Sequence, residues 1–181
     1  IVSNESSEII RMFNSSFNNI THNELDFWRK GLRASIEAIN NRIYETLNNG
    51  VYRAGFSTTQ TSYDDAVTKL FDTMEWLDQM LSGQRYLIGS TLTEADWRLF
   101  PTLVRFDSIY HLHFKCNQKR LIDFKNLWAY TRDLYQTDGV QNTVRLCHAI
   151  RHYYYSHKSI NPNQIIPINP IINFNEPHNR N

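Results

Sequence analysis

The chain is short of cysteine, of glycine and of uninterrupted apolar stretches, and each shortage removes a class of protein. Two cysteines in 181 residues, Cys116 and Cys147, cannot build a disulfide framework; they suit a reducing compartment, so a cytoplasmic location is expected. The six glycines stand singly, at helix ends and in loops, so there is no glycine-rich phosphate loop. No stretch approaches the roughly 20 apolar residues of a membrane span. Basic and acidic residues nearly cancel, 19 against 18, which gives no electrostatic reason to expect nucleic acid or an anionic membrane as partner. The first residues have no basic run and do not read as a signal peptide. They also lack an initiator Met, so the chain is expected to begin partway through a longer protein.

Aromatic residues are plentiful, 13% of the chain, as a large core or an aromatic pocket requires. The most strongly specified stretch is residues 86–117. Thr93 with Asp96 three residues on makes a capping box, and Leu92 with Trp97 has the spacing of a hydrophobic staple. Leu99, Leu103, Phe106, Ile109 and Tyr110 then recur at helical steps, which predicts a buried central helix. Pro101, past its first turn, has no amide to donate and predicts a bend.

The rest reads as helix too. A short helix is predicted over residues 5–14 and an Asn-rich linker over 14–23. A long helix follows over 24–48, with Leu25, Trp28, Leu32, Ile36, Ile39, Ile43 and Leu47 on one stripe and Asn49-Gly50 as its stop. Residues 50–61 have no helical period and read as a loop. Ser62 with Asp65 reads as a second capping box, opening a helix that ends at Gly83. Further helices are expected over 121–135 and from Val140 to Tyr154, with Cys147 packed as a small hydrophobe. Beyond Ser156, Pro162, Pro167, Pro170 and Pro177 forbid helix and favour an extended tail. The fold class is therefore all-α: about five bundled helices, a short helix in front and a Pro-rich tail behind.

Few residues carry obvious chemistry. His148 and His152 have the i, i+4 spacing of zinc ligands, but Ala-Ile-Arg lies between them and the metalloprotease pattern fails, so no metal site is expected. His111 and His113 face different ways on a helix. Lys115 beside Cys116 is weak support for a reactive thiol, and with Lys119 and Arg120 reads as a solvated helix end. Three tyrosines have unusual settings: Tyr52 in the expected loop, Tyr110 deep in the central helix, and Tyr153 within the run HYYYSH. A phenol can donate to a thiolate or oxyanion, can protonate a leaving group, or can simply be a core residue with its hydroxyl satisfied.

Six segments together give a specific resemblance: 4–14 (NESSEIIRMFN), 50–56 (GVYRAGF), 93–103 (TEADWRLFPTL), 105–107 (RFD), 113–117 (HFKCN) and 156–162 (SHKSINP). The chain resembles the glutathionyl-hydroquinone reductases, the Xi class of glutathione transferases, from its first residue into the tail. The resemblance implies an N-terminal thioredoxin-like domain that binds glutathione and an all-helical, glutathione S-transferase C-terminal-like domain that shapes the acceptor pocket. On that pattern residues 1–16 close the first domain, 17–160 form the helical domain and 161–181 the tail. The family's nucleophile is a cysteine in a Cys-Pro motif, and this sequence contains no Cys-Pro. Tyr52 matches the family's proton donor and acceptor. Tyr110 and Tyr153 match tyrosines that lower the pKa of that cysteine, and Glu5 and Ser6 match the pair holding the γ-glutamyl end of glutathione. Glutathione and a glutathionyl-hydroquinone are the implied substrates, and a homodimer the implied assembly. A different glutathione transferase chemistry, or a non-catalytic helical interaction module, are the alternatives.

Overall fold

The structure, a computed structural model, describes residues 3–180. Its main regular elements are helices: α1 (Ser6–Ser15), α2 (Arg33–Ile43), α3 (Gly50–Gly55), α4 (Gln60–Met80), α5 (Glu94–Arg105), α6 (Lys125–Tyr135) and α7 (Leu146–Ser156); single turns stand at Asn18–Thr21, inside the stretch expected as a linker, and at His111–His113. Among the described residues there is no strand, only the isolated bridges Tyr86 to Gly89 and Ile88 to Thr91 around a tight turn. Gly89 has φ +62° there, which a residue without Cβ adopts freely. No described helix is long and apolar enough to cross a membrane.

The centre of the core is α5 and what continues it. Asp96 is fully buried, and its Oδ2 accepts from the Thr93 amide at 2.8 Å and the Thr93 hydroxyl at 3.0 Å, so the reach-back of the capping box is in place. Its Oδ1 accepts from the Leu87 amide and the Tyr130 hydroxyl, at 2.9 and 2.8 Å, tying the turn before α5 and the middle of α6 to one carboxylate. Burial pushes the Asp96 carboxyl above its ordinary range, and those donors oppose the shift. Leu99, Leu103, Phe106, Ile109 and Tyr110 are all buried, as the apolar period predicts.

Four boundaries differ from the sequence reading. Residues 24–29 are not helical: Asn14 Oδ1 accepts from the Phe27 amide and Asp26 Oδ1 from the Trp28 amide, both at 2.8 Å. Side-chain acceptors here take amides that a helix would need, so Leu25 ends 62% exposed instead of joining the stripe. Asn49-Gly50 does not stop the chain, because a π-helical turn, Tyr44–Asn48, carries it straight into α3, and Tyr52 stands on that helix and not in a loop. The cap of α4 is Thr59, whose hydroxyl accepts from the Ser62 amide, three residues before the expected position. The expected 121–135 helix is a 3-10 turn, Leu121–Asp123, followed by α6, whose first amides at Asn126 and Leu127 donate to Asp78 Oδ1 at 2.8 Å.

Two smaller corrections lie at the C-terminal end. Val140 and Val144 precede α7, in and just after a 3-10 turn, and Cys147 is exposed on α7 and does not pack in the core. Past α7 no described residue is helical; Phe174 packs between Trp128 and Tyr135, with ring centroids 5.3 and 5.0 Å away.

Candidate functional site

A cavity of about 570 Å³ opens between α1, the segment before α2, the α2–α3 junction, α5 and α7, with Ser6, Trp28, Tyr44, Trp97 and Arg105 in its wall. Tyr52, Tyr110 and Tyr153 line it as well.

A π-helical turn aims Tyr110. In an unbroken α-helix, Arg105 and Tyr110 would stand about 140° apart around the axis. The segment Phe106–Tyr110 is instead a π turn, whose wider i→i+5 winding brings Tyr110 back toward the side occupied by Arg98 and Arg105. On the other wall Tyr44, Asn48 and Tyr52 stand four residues apart, the spacing of one helical face, and all reach the cavity. Asn48 holds the two walls together, its Nδ2 donating to the Thr102 hydroxyl at 2.7 Å.

The three hydroxyls meet at Tyr153. It lies 2.5 Å from the Tyr52 hydroxyl and 2.9 Å from that of Tyr110, across 101 and 43 residues of sequence. Tyr110 and Tyr153 are 2% and 8% exposed, whereas Tyr52 is 37% exposed and forms the mouth of the cluster. Burial, then the bond to Tyr153, push the Tyr52 phenol up to about 12; burial raises Tyr110 further. Both are therefore neutral donors at ordinary pH, with a proton to give. Arg105 works the other way on both, its charge favouring the tyrosinate.

Phe114 braces the cluster, with ring centroids 5.2 Å from Tyr52, 5.7 Å from Tyr110 and 5.9 Å from Tyr153. It also explains Gly55: a Cβ there would meet the Phe114 ring at 2.2 Å, so only glycine lets α3 lie flat against it. Behind Phe114, His157 Nδ1 faces His113 Nε2 at 3.0 Å, and the His157 ring packs edge-on against Tyr153 at 5.4 Å. Burial, with the neighbouring imidazole second, lowers His113 to about 4, so this pair is neutral and shares one proton.

Of the glutathione-binding pair expected from the sequence, Ser6 lines the cavity and Glu5 occupies the N-cap of α1, exposed and outside the lining. Helix α1 is fixed to the bundle by Arg11, which donates to both oxygens of Glu94 at 2.8 and 2.9 Å, to Glu37 at 2.9 Å, and stacks on Trp28 with its guanidinium carbon 3.6 Å from the ring centre. Read from the sequence, Trp97 had only a staple role, and Arg98 and Arg105 had no site role. Arg98 and Arg105 are seven apart and share a helical face, opposite the apolar stripe that dominates this helix. His148 and His152 are not drawn into the cavity, and no cluster of three or more metal-ligating side chains occurs among the described residues. Cys116 is buried, its thiol pushed up to about 12, which makes it inert packing.

The chain is similar to known proteins in both sequence and fold. The family model of the glutathione S-transferase C-terminal domain matches residues 60–133. The glutathionyl-hydroquinone reductase YqjG of Escherichia coli (strain K12) is 50% identical over 180 residues, covering 99% of this chain and 55% of that protein. The glutathionyl-hydroquinone reductase PcpF of Sphingobium chlorophenolicum is 52% identical over 170 residues, covering 94% and 54%. The glutathione-bound structure of YqjG matches with a TM-score of 0.97, over 99% of this chain and 58% of that one. A Xi-class glutathione transferase from Natrialba magadii matches with a TM-score of 0.96 at 48% identity, over 99% and 55%. The chain carries the all-helical fold of the glutathione S-transferase C-terminal domain. Its close homologues are the glutathionyl-hydroquinone reductases and other Xi-class transferases. The chain spans about half the length of the curated relatives it matches.

Proposed function

We propose that this chain forms the acceptor side of a glutathionyl-hydroquinone reductase, and that Tyr52, Tyr110 and Tyr153 are its contribution to the chemistry. The observation that carries the reading is the convergence of three phenol hydroxyls on the wall of an aromatic cavity. A cysteine thiolate outside this chain attacks the sulfur of the glutathionyl-hydroquinone. A disulfide forms between cysteine and glutathione, and the carbon–sulfur bond breaks with its electron pair left on the ring carbon. That carbon takes a proton from Tyr52, and hydroquinone leaves. A second glutathione thiolate then displaces the cysteine from the mixed disulfide, giving oxidised glutathione.

The tyrosine geometry suits both halves. Tyr52 is at the mouth, neutral, and backed by a second phenol that can restore its proton. The inner hydroxyls are donors that would stabilise a thiolate and hold its pKa down. Ser6 and Glu5, at the start of a helix, suit the charged γ-glutamyl end of glutathione, the hydroxyl and amides for its carboxylate and the acid for its ammonium. Residues 1–16 then close a thioredoxin-like domain, 17–160 are the helical domain and 161–181 its tail. The assembly is a homodimer and the compartment the cytoplasm, where unpaired Cys116 and Cys147 would stay reduced. The test is to incubate the full-length protein with a glutathionyl-hydroquinone and glutathione. Hydroquinone and oxidised glutathione in equal amounts support the reading; no glutathione-dependent release refutes it.

A further inference from the structure

The charges on the cavity wall are unbalanced. Its one carboxylate, Glu94, is 4% exposed and already committed: Oε2 takes Arg11, and Oε1 takes Arg11, the Asn40 amide and, at 3.4 Å, Arg98. Arg105 is different. It is half-buried and joins none of the ion pairs among the described residues; its one hydrogen bond there runs from Nη1 to the Pro101 carbonyl, at 2.8 Å, within its own helix. Four of the five donors of a guanidinium are left for something else. The surrounding wall, Trp97, Pro101, Tyr110 and Tyr153, is built to hold a ring.

Position along α5 says which end of a substrate Arg105 meets. Glu94, where α1 is anchored beside Ser6, opens α5, and Arg105 closes it. Eleven residues at 1.5 Å each separate them by about 16 Å. Arg105 therefore stands at the tyrosine end, with the aromatic acceptor, and away from the helix start suited to glutathione.

We infer that Arg105 selects the acceptor: the aromatic ring this cavity takes carries an anionic substituent, a carboxylate, that pairs with the Arg105 guanidinium. The inference rests on the reading of the cavity as an aromatic-acceptor pocket. A planar fork facing a carboxylate is the arrangement that gives both strength and orientation, and here it would fix how the ring lies against Tyr52.

The experiment is calorimetric binding of two isosteric probes, 2,5-dihydroxybenzoate and 2,5-dihydroxybenzamide, to the full-length protein under reducing conditions. The wild type is expected to prefer the benzoate by about tenfold, a charge-assisted pair in a partly dry site. Arg105→Met is expected to bring the ratio to near one, Arg105→Lys to keep part of it, and 0.5 M salt to erode it in the wild type without any substitution. Equal binding of both probes by the wild type, or a preference that survives both Arg105→Met and salt, overturns the inference while leaving an aromatic pocket intact. If Arg105→Met weakens binding of glutathione alone and leaves the probe ratio unchanged, Arg105 serves a glutathione carboxylate and the inference is again overturned. If neither probe binds, the acceptor-pocket reading fails, and the inference with it.

Discussion

Tyr153→Phe is the most informative single substitution in this chain, because one oxygen links the other two phenols. Its removal leaves the Tyr110 hydroxyl, at 2% exposure, with no partner among the described residues. A buried hydroxyl left unpaired costs about 1–3 kcal/mol. Tyr52, at the mouth, turns to water and loses little. A net destabilisation of about 2 kcal/mol follows, and for a domain of this size that lowers Tm by about 4–8 °C. Tyr110→Phe alone is milder, about 1 kcal/mol, since Tyr153 keeps its bond to Tyr52. The double variant has no orphan, so its loss is expected to fall about 1 kcal/mol short of the sum of the singles. Tyrosinate absorbance gives a second readout. Tyr52 titrates near 12 in the wild type and moves toward 10 in Tyr153→Phe, burial keeping it above 10. With the folded value raised, the stabilisation from the neutral phenol is complete below pH 10 and is lost as pH rises through 12. Strict additivity in thermal melts, with an unmoved tyrosinate titration, would refute the shared-hydroxyl account.

Three further substitutions and conditions probe what holds the site. Gly55→Ala normally strengthens a helix, but here the new methyl displaces Phe114, and a loss of about 1–3 kcal/mol with weaker aromatic binding is expected in melts and titrations. Asp96→Ala strands the Leu87 and Thr93 amides and the Tyr130 hydroxyl, so a loss of about 4 kcal/mol is expected by chemical denaturation. His113, lowered to about 4 from its ordinary 6.5, contributes stability that is complete above pH 6.5 and is lost as pH falls toward 4. Allowing for solvent screening, about 1–2 kcal/mol should disappear between pH 7 and 4 and be absent from His113→Gln, as melts across that range would report.

How much of this was legible in the sequence depends on which force decides each element. The start of α5 was, because Thr93, Asp96 and the apolar period all favour the same structure. The start of α2 was not, because Asn14 and Asp26 divert the Phe27 and Trp28 amides through contacts 13 and two residues apart, which outweigh an apolar stripe. Asn49-Gly50 misled for a related reason: an Asn-Gly pair suggests a turn, yet here the helix merely widens into a π turn before it. The π turns have no sequence signature, and the one at Phe106–Tyr110 is what turns Tyr110 toward the cavity. The three tyrosines stood out by their local settings, and only a family resemblance gave them a shared role, since their sequence separations carry no period. Arg105 was visible as a position on a face, but only the committed state of Glu94 makes it stand out.

The central claim is that Tyr52 supplies the proton to the departing ring carbon. Its most direct test is the rate of hydroquinone release from a glutathionyl-hydroquinone by the full-length protein and by Tyr52→Phe, with glutathione in excess. Loss of a positioned general acid predicts a rate about a hundredfold lower with little change in KM. Equal rates for the two proteins would contradict it.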